Sequence, residues 1–426
     1  MTEKKAQIKF STKIISFIIV TLYGMYYYFN RGNISNLKDF LIEDMHLTAS
    51  GFSEISSAFS ITYGLSQPLG GYAMDKIGIK LLCPILLLIG SSSLYIFAGA
   101  TSPTIAIYCR YVLGIAFCVA STGSYKYLSM VWDKHFAILS NIIPIVMALA
   151  ASFSASGTIK ALMISMGWKN FIRGVAFFGF ILAILLYFAL SAVSESEEKP
   201  VVEGNFQEME TSLVEGIKVV TTTPGFLPVT IFSVTISAAA YTIMDGWGNT
   251  LLSLKFPALA EAYSSAPATM NMAGNACGFL YNIWASNKLS IKQQMYVFGL
   301  LSLGALSSLI YLDLSCNSLL LCFAILGFSC AGQSIGFLWM QKTLRRKYLG
   351  LGFGILNFSC MYFGCALVQK FAGALLDMLK NTAVKNGIPL YEGYRYVDLL
   401  QMFQFLLIPS IISLVIIFFV RNKKNN

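Results

Sequence analysis

Long apolar runs separated by short polar loops repeat along the chain from Phe10 to Val420. Each run approaches the roughly 20 apolar residues that a helix needs to cross a bilayer core. The pattern predicts helical spans near 11–35, 50–74, 81–100, 103–131, 136–160, 169–193, 224–253, 265–286, 294–313, 317–342, 349–378 and 397–420. An even number of spans puts both termini on one side. One long polar stretch, 194–223, opens with Ser194-Glu195-Ser196-Glu197-Glu198-Lys199-Pro200 and falls between the sixth and seventh spans. The expected organisation is therefore an amino-terminal six-helix bundle, 1–193, a cytoplasmic linker, 194–223, and a carboxy-terminal six-helix bundle, 224–426.

Composition sharpens this picture. Of 426 residues, 56% are hydrophobic and 12% charged, with a mean hydropathy of +0.67. A water-facing surface of ordinary polarity cannot be built from such a chain, so lipid must solvate most of it. The 34 glycines suit close approach of helix backbones within a membrane. A net charge of +10 does not point to nucleic acid, because the basic residues are scattered through short loops without aromatic interleaving. They follow the positive-inside pattern instead. About 16 Lys and Arg fall in the segments assigned to one face, against about seven on the other. This orientation places both termini in the cytoplasm of a bacterial inner membrane.

The first apolar run is long, lacks an A-x-A-like cleavage site and follows Lys4, Lys5, Lys9 and Lys13, so it reads as a span and not as a removable export signal. Cys83, Cys118, Cys330 and Cys365 sit inside apolar runs without framework spacing and read as packing residues. His46 and His135 lie in loops near opposite faces, and no Cys/His/Asp cluster suits a metal. There is no G-x-S-x-G elbow and no P-loop glycine run. Enzyme chemistry, a bound cofactor and ATP drive are therefore not expected.

The two halves share a register. Asp75-Lys76-Ile77-Gly78-Ile79-Lys80 after the second span is echoed by Asn287-Lys288-Leu289-Ser290-Ile291-Lys292 after the eighth. The first copy, with Gly71 ahead of Asp75, Lys76, Gly78 and Lys80, resembles the G-x-x-x-D-R/K-x-G-x-R/K loop of the major facilitator superfamily. Arg110-Tyr111-Val112-Leu113-Gly114 resembles that superfamily's R-x-x-x-G motif in the fourth helix. The resemblance implies an all-α membrane protein of twelve transmembrane helices in two pseudo-symmetric bundles, with spans one, four, seven and ten lining a central cavity. It also implies that Asp75 accepts hydrogen bonds from a neighbouring helix end as a gating latch. The second copy, with Asn287 and Ser290, is expected to latch more weakly.

Closer resemblances divide. Tyr26 to Asn33 and Ser60 to Gln67 look like the first two helices of organophosphate:phosphate antiporters, whose first-helix arginine holds phosphate and is matched by Arg31. Those transporters carry a second arginine in helix seven, where this chain has Ala239-Ala240-Tyr241, and often a lysine at the position of Gln67. Both departures argue against a phosphorylated substrate. Gly350 to Asp377, with Asn357 and Gln369, and then Asn386-Gly387 leading to Tyr394-Arg395, resemble transporters abundant in intracellular gammaproteobacteria. The phagosomal group there carries amino acids and related nutrients.

A charge at a helix centre costs about 2.5–3.5 kcal/mol on insertion scales, so each one asks for a partner, a wet cavity or a function. Tyr23, Tyr27 and Arg31 share one face of span one, and Tyr241 and Asp245 share one face of span seven. The repeat offset brings Asp245 within about two residues of the mate of Arg31. Arg31 is thus a candidate for a substrate carboxylate, and Asp245 for the substrate ammonium or a coupling proton. The alternatives are that Arg31 snorkels at the outer end of its span and that Asp245 caps a helix end beside Gly246 and Gly248. Glu54 and Arg110 are candidates for a charge pair, structural or proton-coupling. Lys126 either holds an anion or snorkels to the cytosol. Gln67, Asn141, Asn271, Asn275, Gln333, Asn357 and Gln369 either read a substrate or bond helix to helix.

The reading is a monomeric secondary transporter, with proton-coupled uptake of an amino acid or similar small carboxylated metabolite favoured. Organophosphate or organic-anion exchange is the runner-up. A transporter-like receptor is the alternative of another class.

Overall fold

In lipid, each backbone N–H and C=O must be satisfied within the protein, and a single apolar run does this by coiling into a helix. The computed structural model describes residues 9–47, 49–154, 157–194, 212–243, 247–259, 263, 266–385 and 395–420, and among these all regular structure is helical. The first ten helices are α1 (Phe10–Gly32), α2 (Ile34–Met45), α3 (Ala49–Ile77), α4 (Ile79–Ala98), α5 (Pro103–Phe117), α6 (Ala120–Val131), α7 (Phe136–Ser154), α8 (Gly157–Met166), α9 (Trp168–Ser194) and α10 (Leu213–Thr222). The remainder are α11 (Phe226–Thr242), α12 (Gly248–Lys255), α13 (Ala266–Ala285), α14 (Ile291–Tyr311), α15 (Cys316–Cys330), α16 (Ser334–Thr343), α17 (Leu349–Ser359), α18 (Leu367–Lys385), α19 (Tyr396–Phe405) and α20 (Leu407–Val415).

Nine helices among the described residues are long and apolar enough to cross a membrane, or ten if α10 and α11, bent by 85°, form one span. Expected spans two and eight are present as α3, of 29 residues, and α13, of 20. Both are long enough to cross, but their Ser, Thr, Asn and Gly content keeps them less apolar than the rest. Several expected spans are composite. Span four is α5 followed by α6, and span eleven is α17, a π-helical segment over Cys360–Ala366, and α18. The polar stretch 194–223 ends in α10, whose Gly216 and Val220 are buried while Val214 is 76% exposed.

The chain folds as two compact units. Unit 1 comprises Met1–Leu139, Ile143–Val220 and Leu344–Asn357; unit 2 comprises Ser140–Ile142, Thr221–Thr343 and Phe358–Asn426. In unit 1, α3 packs along α5, and α4 lies between α5 and α9. Thr62 Oγ1 donates to the Tyr111 carbonyl at 2.9 Å and Ser93 Oγ to the Cys109 carbonyl at 2.8 Å, which locks these pairs laterally. Between α2 and α9, Asp44 accepts from Lys169 Nζ at 2.8 Å and from the Trp168 indole at 3.1 Å.

Unit 2 is centred on Leu252, Leu306, Leu309, Phe323, Leu376 and Phe403. Its closest pair is α13 with α15, and here asparagines do the bonding. Asn271, Asn275 and Asn282 donate to the carbonyls of Phe323 at 3.3 Å, Gly327 at 3.2 Å and Ala331 at 3.0 Å. Asn141 accepts from Ser334 Oγ at 2.8 Å. For Asn141, Asn271 and Asn275, the geometry displays helix-to-helix bonding, one of the two uses expected for them; Asn282, not singled out from the sequence, does the same. Large apolar side chains such as Phe177, Phe188, Leu300 and Phe418 stay exposed on the outside, as a lipid-solvated protein requires.

Candidate functional site

Unit 1 gathers four of the candidate residues along one ladder. Arg31, near the end of α1, lies one turn beyond Tyr27, and its Nη1 donates to Tyr27 Oη at 3.4 Å. The guanidinium also stands over the Tyr28 ring, 5.9 Å from its centroid. Tyr27 is fully buried and stacks on Tyr63 of α3, with ring centroids 5.2 Å apart. Asn357 of α17 donates from Nδ2 to Tyr63 Oη at 3.5 Å. Gln67 follows Tyr63 by one turn of the same helix and is wholly buried; it lies close to the Tyr63 hydroxyl, but neither its amide nitrogen nor its amide oxygen makes a well-formed hydrogen bond. The Tyr23 hydroxyl, one turn before Tyr27, is likewise buried without a partner.

Each element of this ladder has a chemical capacity. A guanidinium presents a planar fork that matches a carboxylate, and the tyrosine rings hold it in a half-buried place where the charge is less screened. An unsatisfied buried amide costs about 1–3 kcal/mol, so the Gln67 side chain has donor and acceptor capacity that a polar partner could use. Together these groups can bind the anionic end of a small solute and read its polar substituents.

The loop after α3 forms a second constellation. Asp75 accepts from the backbone N–H of Gly350 at 3.0 Å and of Leu351 at 2.8 Å, at the start of α17. A carboxylate there satisfies orphan donors and lies at the positive end of the helix dipole. Gly71 and Gly350 permit this approach, because a Cβ on either would meet the other's backbone. Gly78 adopts φ +84°, in the left-handed region that favours glycine, and so turns the chain sharply into α4. Lys126 of α6 completes the cluster. Its Nζ lies 2.5 Å from Asp75 Oδ1 and donates to the Met74 carbonyl at 2.7 Å. Neither use expected for Lys126, anion holding or snorkelling, is what the geometry displays: the ammonium is buried against Asp75. Lys76 is exposed beside Tyr72, whose ring centroid is 5.8 Å away, and Lys80 is half-buried at the first turn of α4.

The expected Glu54–Arg110 pair is not formed. Glu54 is exposed, whereas Arg110 is 5% exposed and rests against the Phe59 ring at 4.8 Å. Its Nε has no hydrogen-bond partner, and it borders a water-sized void that Asn30 and Asn33 also line.

In unit 2, Tyr241 at the end of α11 donates through its hydroxyl to Gln333 Oε1 at 3.1 Å. Gln369 of α18 donates to the Tyr241 carbonyl at 3.1 Å and accepts from the Trp247 indole at 3.0 Å. Asp245 lies outside the described residues. The sequence reading missed Tyr63, which links Tyr27 to Asn357, and Trp247. The signal for Tyr63 was its place one turn before Gln67; no comparable pattern marked Trp247.

Comparisons with known proteins complete the description. The family model for the Major Facilitator Superfamily matches residues 20–369. A probable sulfoacetate transporter, SauU, of Cupriavidus necator is 36% identical over 114 residues, a segment that spans 26% of this chain and 26% of that relative. The match thus covers about a quarter of the curated relative's length. Among solved structures, the E. coli fucose:proton symporter FucP superposes with a TM-score of 0.63 at 12% identity, covering 97% of this chain and 100% of that one. A bacterial homologue of the human lysosomal transporter Spinster gives 0.63 at 12% identity, covering 98% and 100%. These structural likenesses establish the fold.

Proposed function

The chain belongs to the Major Facilitator Superfamily, and from that premise we propose that it is a proton-coupled importer of a small carboxylated metabolite, an amino acid in the first instance. It is a multi-pass membrane transporter of small solutes and not an enzyme. In this reading it works as a monomer in a bacterial inner membrane, with both termini cytoplasmic.

The observation that carries the reading is the ladder of Arg31, Tyr27, Tyr63 and Asn357, with the unsatisfied amide of Gln67 one turn further along α3. Arg31 takes the solute carboxylate, and Gln67 exchanges hydrogen bonds with its polar substituents. In unit 2, Tyr241 and Gln333 form a neutral polar cluster. Asp245 is assigned the proton or the solute ammonium on its repeat position alone. Asp75 and Lys126 act as the gating latch, which breaks and reforms through each cycle. The likeness of Gly350 to Asp377 to the phagosomal group supports an amino acid.

A second reading, exchange or uptake of another organic anion, draws support from the relative that is named a probable sulfoacetate transporter. Purified protein in liposomes separates the two. Under an inward proton gradient, labelled amino acids accumulate on the first reading, and sulfonated or phosphorylated anions on the second. Stabilisation by a solute with no counterflow of it would instead indicate a receptor.

A further inference from the structure

Unit 1 has a recess on its outer, lipid-facing side between α1, α7 and α9. Its volume is about 680 Å³, and Leu22, Phe29, Leu149, Phe153 and Phe178 form most of its walls. Leu149, Phe153 and Phe178 are 64%, 55% and 49% exposed, so the recess opens outward and not into the unit's core. Gly174 forms part of its wall, and a Cβ built there would meet nothing within 4 Å. The recess is therefore empty space beside a glycine and not a tight helix contact.

Two polar side chains line the recess: the Tyr26 hydroxyl, which donates to the Val175 carbonyl at 3.1 Å, and Asn170 at one end. Asn170 lines the recess in the first turn of α9, and Arg173, a turn later, donates from Nη1 to Asn170 Oδ1 at 3.4 Å. Arg173 is exposed and has no ion pair among the described residues, whereas its neighbour Lys169 is engaged by Asp44 at 2.8 Å. From Asn170 to Phe178 the helix rises about 12 Å, most of the roughly 15 Å that one leaflet of a 30 Å hydrocarbon core provides. An apolar slot of leaflet depth with a single unpaired cation at the interface end has the form of one lipid molecule.

We propose that this recess binds one anionic phospholipid, with an acyl chain along α9 against Gly174 and the headgroup phosphate on Arg173. The apolar walls recognise the chain by exclusion from polar surroundings, and the guanidinium recognises the phosphate by charge-assisted hydrogen bonds. The site is separate from the Arg31 ladder and does not depend on the solute proposed for it.

Native mass spectrometry of the full chain in detergent, titrated with phosphatidylglycerol and phosphatidylcholine of equal chain length, tests the assignment. The wild type retains one phosphatidylglycerol with about fivefold preference over phosphatidylcholine, the weight of a single basic side chain at an anionic surface. Arg173→Gln abolishes the preference while leaving chain binding, and Lys169→Gln retains it. Gly174→Leu fills the recess and reduces retention of both lipids. Equal retention of the two lipids by the wild type overturns the proposal. So does an undiminished preference in Arg173→Gln, an exposed position whose result stands even if Gly174→Leu fails to fold. Full retention of phosphatidylglycerol by a folded Gly174→Leu protein also overturns it.

Discussion

The loops after α3 and α13 occupy the same register of a repeat, yet they are built on different physics. In unit 1, Asp75 draws Lys126 and two backbone donors of α17 to one buried carboxylate, across sequence separations of 51, 275 and 276 residues. In unit 2, the acid is replaced by Asn287, which is exposed, and the loop closes on itself. There Ser290 accepts from the Gln293 N–H at 3.3 Å while Gln293 Oε1 accepts from the Ser290 N–H at 2.9 Å, a capping box for α14. The difference teaches that one charge decides whether such a loop reaches across the fold or only starts the next helix.

The comparison breaks most visibly at Asp75. Replacing it by Ala leaves Lys126 buried without its counter-charge and two helix donors unmet, an expected cost of about 3–5 kcal/mol. Ser290→Ala in the other loop is expected to cost only about 1 kcal/mol, the usual price of a lost cap. Thermal unfolding of the purified variants in detergent measures both. Equal losses would dissolve the contrast between latch and cap. The double variant Asp75→Asn, Lys126→Met should recover part of what Asp75→Asn alone loses, since the buried cation is then gone.

The second contrast lies between the charged ladder of unit 1 and the neutral cluster of unit 2. Removing a charge-assisted hydrogen bond costs about 1.5–3 kcal/mol, so Arg31→Gln should raise the solute KM by at least about tenfold. Gln333→Leu, which removes a neutral partner of Tyr241, should raise it by less. Uptake kinetics in liposomes rank the two.

Gln67 sharpens the same contrast with a smaller effect. Because neither of its polar atoms makes a well-formed hydrogen bond, Gln67→Met should stabilise the unliganded protein by about 1 kcal/mol while lowering transport. Gln369→Met, which removes two existing bonds, should destabilise it. Differential scanning fluorimetry without solute reads the opposite signs.

The smallest effect concerns Asp44. The hydrogen bond from Lys169 holds its carboxyl below the usual range, helped by the Trp168 indole. A depressed folded pKa gives stability that is full above the unfolded value of about 3.9 and is lost as pH falls through the folded one. For this largely exposed pair, Asp44→Asn should cost less than about 1 kcal/mol at pH 7. The difference from wild type in unfolding midpoint should shrink as the pH is lowered below about 4.

Much of the helical order was legible because the bilayer imposes a length on every apolar run. The expected span 169–193 is α9, Trp168–Ser194, and the expected span 81–100 is α4, Ile79–Ala98. The loop motif was legible for a related reason: Gly71, Asp75 and Gly78 are each demanded by a close approach, a cap or a positive φ. What a side chain meets was not legible. Lys126 sits in an apolar run with nothing local to mark Asp75 as its partner. The asparagines of α13 are equally suited to a solute or to a carbonyl, and only the backbone of α15 opposite them decides. Arg110 and Glu54 are both near one end of their spans, but a residue's depth says nothing of its azimuth, and only Arg110 is turned inward. The break of regular winding at Cys360–Ala366 follows from packing that no local pattern announces.

The proposal rests on Arg31, which donates to Tyr27 at one end of the ladder, taking a carboxylate. Counterflow in liposomes with a transported carboxylate and its neutral amide tests it most directly. The account predicts that wild-type protein exchanges the carboxylate, that it fails with the amide, and that Arg31→Gln removes the discrimination by losing the carboxylate. Exchange of both compounds at similar rates by wild type, or undiminished carboxylate exchange by Arg31→Gln, would contradict it.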